Sequence, residues 1–84
     1  MSNSSRINDL EAYVKEWEES LKSVAQRRER LLEHQDKLFP SDDSDAYEQL
    51  RERILEADKA VLEHHRILIR MEAQLDIAKF NDQN

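Results

Sequence analysis

The chain has 84 residues, of which 38% are charged and 38% hydrophobic, with no glycine, no cysteine and a single proline. A chain this short forms one small domain with a thin core, and the lack of glycine and proline suits long helices rather than a turn-rich β fold. The formal net charge of −6 disfavours nucleic acid as a partner, and the absence of cysteine excludes disulfide staples and thiolate metal sites.

The opening Met1-Ser2-Asn3-Ser4-Ser5 has no basic stretch followed by an apolar one, so it does not read as a secretory leader. Ser5 is a candidate N-cap, and the pattern predicts a first helix from about Ser5 to about Leu38. Along it Ile7, Leu10, Val14, Trp17, Leu21, Val24, Leu31 and Leu38 recur at alternating three- and four-residue steps. This is a heptad seam, interrupted by Arg28 and Gln35. A charged residue in a seam costs stability, but it can fix register or reach an acid on the opposite helix. Glu11 with Lys15 and Glu18 with Lys22 have the spacing of supporting pairs on one helix face. The short basic run at Arg27, Arg28 and Arg30 is interleaved with Glu29 and reads as a solvated face.

Phe39-Pro40-Ser41-Asp42-Asp43-Ser44 is the only strong break: proline ends one helix, and the serines and aspartates offer caps for the next. The second helix is predicted from about Ser44 to about Phe80, with the polar Asn81–Asn84 expected to fray as Met1–Ser5 would. Its seam runs through Tyr47, Leu50, Ile54, Ala57, Val61, His64, Leu68, Met71, Leu75 and Ala78. A short link between two matched helices favours their packing on each other. The expected fold is therefore all-α, a single antiparallel coiled-coil hairpin over residues 1–84, with Trp17 near His64 and Leu68.

A hairpin needs one narrow apolar stripe per helix, and the second helix has more. Leu55, Leu62, Ile69, Ala73, Ile77 and Phe80 lie outside its seam. At 100° per residue they gather on a line about 130° around the helix from the seam centre. Asp58, His65, Glu72 and Asp76 fall between the two stripes. The line is a candidate partner-binding surface, covered either by a second copy in a four-helix bundle or by a heterologous helical groove.

Little else points to chemistry. Adjacent His64 and His65 diverge by about 100°, His34 belongs near the loop, and neither a metal-ligand spacing nor a phosphate-binding glycine loop occurs, so no metal, cofactor or catalytic residue is expected. The longest uninterrupted apolar run, Ile67-Leu68-Ile69, is far too short to span a membrane, and a cytoplasmic protein is the expectation.

Four short stretches carry a likeness to a known family: Arg6-Ile7-Asn8-Asp9-Leu10, Arg30-Leu31-Leu32-Glu33 through Lys37-Leu38, Asp45-Ala46-Tyr47-Glu48-Gln49-Leu50, and Ala60-Val61-Leu62-Glu63. In these the chain resembles the small helical-hairpin co-chaperones of type III secretion systems. It departs from them in its longer acidic loop containing Phe39 and Pro40. The resemblance implies a cytoplasmic protein that stabilises a tetratricopeptide-like chaperone holding the needle subunit. Two other readings stay open. A homodimeric coiled-coil scaffold or regulator needs only the stripes already described, and tubulin-cofactor-like helical chaperones share the hairpin but resemble three-helix bundles.

Overall fold

A computed structural model describes residues 3–38 and 44–83. It contains two helices, α1 (Asn3–Lys37) and α2 (Ser44–Gln83), packed along each other as an all-α hairpin. At 1.5 Å per residue these helices run about 52 and about 60 Å, and they fill a rod of 64 × 14 × 13 Å. No residue among those described has a positive φ, consistent with a chain that has no glycine to place there.

Both helices run further than their patterns predict. α1 begins at Asn3, so Ser5 lies inside its first turn rather than capping it. α2 continues through Asn81 and Asp82 to Gln83, where fraying was expected. Polar, weakly helix-forming residues are carried along when the neighbouring turns are held by packing, because propagation is cheaper than nucleation. At the other end of α1, the Leu38 N–H is shared between the carbonyls of His34 and Gln35, both at 3.2 Å, and closes the last turn. His34 and Lys37 stand in that turn, where positive charge offsets the helix dipole. The expected loop residues 39–43 lie outside the described residues.

The core is the seam. Leu10, Val14, Leu68 and Leu75 form a buried cluster at the end remote from the loop, with Ile7, Trp17, Leu21, Met71 and Ala78 packed against it. Towards the loop Leu50, Ile54 and Ala57 are buried, while Val24, Leu31, Tyr47 and Val61 are half-buried. Every buried apolar side chain retains 8–9% of its surface, since two helices enclose a seam from two sides only.

The rod shape has a measurable consequence. The radius of gyration is 18.9 Å, against about 12 Å for a compact domain of this length. The accessible surface is 6807 Å², where a compact monomer of this mass would expose about 5,200 Å².

Candidate protein-binding surface

Whatever the seam does not use must lie on the flanks or outer faces of the two helices, and those outer faces differ. On α1 the outward positions are polar, among them Asn8, Lys15, Lys22, Glu29 and Asp36, all exposed. On α2 the corresponding face presents Leu55 (54% exposed), Leu62 (51%), Ile69 (65%), Ile77 (61%) and Phe80 (65%), with exposed Ala73 among them. Five of the six large exposed apolar side chains among the described residues therefore belong to α2; the sixth, Tyr13, is half-exposed on α1. An asymmetry of this kind separates a placed surface from the scattered apolar exposure that any protein has.

The charged positions between this line and the seam do not isolate it everywhere. Arg28, projecting from the α1 seam, directs its Nε–H to Asp58 Oδ1 across the helix interface. Both side chains stay about two-fifths exposed, so the pair stabilises the hairpin by no more than about 1 kcal/mol. It also cancels the charge that divides the stripes at this level. Beside the pair, a groove of about 340 Å³ is lined by Ala25 of α1 and Val61 and Leu62 of α2, joining the outer line to the seam. Nearer the far end Lys79 Nζ stands 3.5 Å from Glu11 Oε1, a second exposed link between the helices.

His64 holds a seam position through a small polar network. A carbonyl only accepts, so His64 Nδ1–H donates to the Ala60 carbonyl at 2.8 Å. In the neutral ring Nε2 then accepts from the Ser20 hydroxyl at 2.9 Å. The ring meets Trp17 edge to face, with centroids 5.2 Å apart and planes at 65°. Both ring nitrogens of His64 have a partner, and no buried side-chain nitrogen or oxygen among the described residues lacks one. His65, turned about 100° away, is exposed and takes no part. Sequence reasoning placed His64 in the seam but had no signal for Ser20, which lies one position off it.

No group of three His, Cys, Asp or Glu side chains among the described residues is arranged to hold a metal ion, and none of the described helices is long and apolar enough to cross a membrane. Comparison with protein-family models, curated proteins and solved structures returns no match.

Proposed function

We propose that this chain is a protein-binding hairpin that works through the outer line of α2. In keeping with the motifs it shares with that family, we assign it the role of a type III secretion co-chaperone, cytoplasmic, that steadies a tetratricopeptide-like chaperone holding a needle subunit. The observation that carries the binding reading is the row Leu55, Leu62, Ile69, Ala73, Ile77 and Phe80, whose large members are 51–65% exposed on one helix. Covering the remaining surface of each large side chain would contribute about 1–2 kcal/mol, and five together offset the ordering cost of association. A superhelical array of helix pairs offers the concave surface that accepts an amphipathic helix.

The alternative, a homodimeric scaffold built on the same line, meets an electrostatic obstacle. In an antiparallel two-fold pairing that overlaps the whole line, residue i faces residue j with a constant sum, set by placing Leu55 against Phe80 of the other copy. The same register sets exposed Arg66 of each copy beside Arg70 of the other, on one flank of the line near the two-fold axis. Like charges at that spacing oppose self-pairing and favour a partner bearing carboxylates there.

Co-expression with a type III tetratricopeptide-like chaperone and its needle subunit tests the assignment. A complex stable to size-exclusion chromatography is expected, and Ile69→Asp should abolish it while the hairpin's circular dichroism is kept. A tight homodimer that Ile69→Asp splits, with no chaperone bound, would instead establish the scaffold.

A further inference from the structure

On the side of α2 opposite the outer line, the loop-proximal half of the rod carries a second surface of different chemistry. Arg53 and Leu55 are two residues apart and so point about 160° from each other around the helix. Three adjoining hollows, of about 390, 250 and 430 Å³, run along this side, the first two between the helices and the third on the adjoining face of α1. Their apolar floor is Val24 and Leu31 of α1 and Leu38 just beyond its end, with Leu50 and Ala57 of α2. Around that floor stand Arg27, Arg30, His34 and Lys37 from α1 and Arg53 from α2, all exposed. Glu56 is the one carboxylate among the lining residues.

The concentration of cations is unexpected for a chain of net charge −6. Ordinary helix chemistry accounts for part of it, since His34 and Lys37 complement the carboxyl end of α1. It does not account for Arg27, Arg30 or Arg53, which lie away from any carboxyl-terminal turn. Among the described residues the ion pairs are Arg28 with Asp58 and Lys79 with Glu11, and none of the five cations has a described carboxylate within 4.0 Å. Read along α1 alone, Arg27 and Arg30 look like a solvated face, but the fold sets them around the same apolar floor as Arg53.

We propose that this groove docks a short acidic amphipathic helix of a partner protein, its leucine-type side chains on the Val24, Leu31 and Leu50 floor and its carboxylates against Arg27, Arg30 and Arg53. A groove between two packed helices is what the third helix of a bundle fills, and from Arg27 to Lys37 it is about 15 Å long, room for about three turns. Opposite charge on the flanks sets the occupant's sign, and bidentate arginine–carboxylate pairing favours carboxylates over a diffuse polyanion. The apolar floor is what a nucleic-acid backbone would leave unused. This site does not depend on the outer line, so both surfaces can be occupied together.

The test uses the full chain and a fluorescent synthetic helix with leucines on one face and glutamates on both flanks. Its controls are the same helix with lysine for glutamate, and heparin. Saturable binding of the acidic helix is expected, weakened at least about tenfold by Arg27→Glu with Arg53→Glu and by Leu31→Ser, and unchanged by Leu62→Asp. Arg30→Ala, which touches no seam contact, should weaken binding severalfold with helicity intact and so guards against a misfolded double variant. Failure of the acidic helix to bind at millimolar concentration would overturn the proposal, as would equal binding of the lysine helix. So would tighter binding of heparin that the Leu31→Ser variant retains, or self-association of the chain that Arg53→Glu dissolves.

Discussion

His64 occupies a place in the seam where leucine would bury more apolar surface and need no partner. What histidine adds is direction: its two nitrogens reach Ala60 on its own helix and Ser20 on the other, and its ring rests on Trp17. A polar group that is satisfied in one register only selects that register at a cost in stability. His64→Leu is accordingly expected to raise stability by about 1–2 kcal/mol in denaturant melts. The same variant should loosen the choice of pairing, seen as mixed oligomers in sedimentation velocity. A variant less stable than the parent would show the network to be a net contributor. Arg28 and Asp58 act similarly from a more exposed position, and a double-mutant cycle to alanine should give a coupling of about 0.2–1 kcal/mol that fades in high salt.

At the scale of the helix, α2 presents two apolar faces, one packed on α1 and one exposed, and substitution should separate them. Leu68→Ala removes atoms from the buried cluster and should destabilise by about 2–3 kcal/mol, the lower part of the usual range because a two-helix seam can relax around the void. Leu62→Asp changes a side chain that is half in water already, so helicity and melting should be nearly those of the parent. Circular dichroism melts of the two variants side by side decide it; an equal loss in both would mean that the stripes share one core. Much of this was legible in the sequence because heptad spacing reports directly on which side chains can share a face: Leu10, Val14, Leu50, Ile54, Leu68 and Leu75 are buried, and Leu55, Leu62, Ile69, Ile77 and Phe80 are exposed. The ends of the helices were less legible, since whether Asn3 or Asp82 is helical depends on neighbouring turns rather than on its own propensity. The cationic groove was not legible at all. Arg53 joins Arg27 only once the loop has folded α2 back along α1, and a one-dimensional charge pattern has no means of expressing that.

For the whole molecule, shape and stability are two sides of one circumstance. A rod 64 Å long and 13–14 Å across has no interior beyond its seam, and no side chain among those described is less than 2% exposed. Ordering each residue costs about 1–2 kcal/mol of conformational entropy, and a core open on both flanks leaves little margin over that cost. The isolated chain should therefore melt at low temperature with a broad transition. Scattering from the monomer should give a radius of gyration near 18.9 Å. A partner that binds only the folded hairpin shifts the balance by mass action, about 2.7 kcal/mol at one hundred times its dissociation constant. For a domain of this size that corresponds to a rise of roughly 10–20 °C in melting temperature. The rise should vanish for Leu62→Asp or Ile69→Asp, whose own transitions remain those of the free chain. A lone monomer that already melts steeply, at high temperature and independently of concentration, would mean that the seam suffices and that the outer line of α2 has no structural need of a partner.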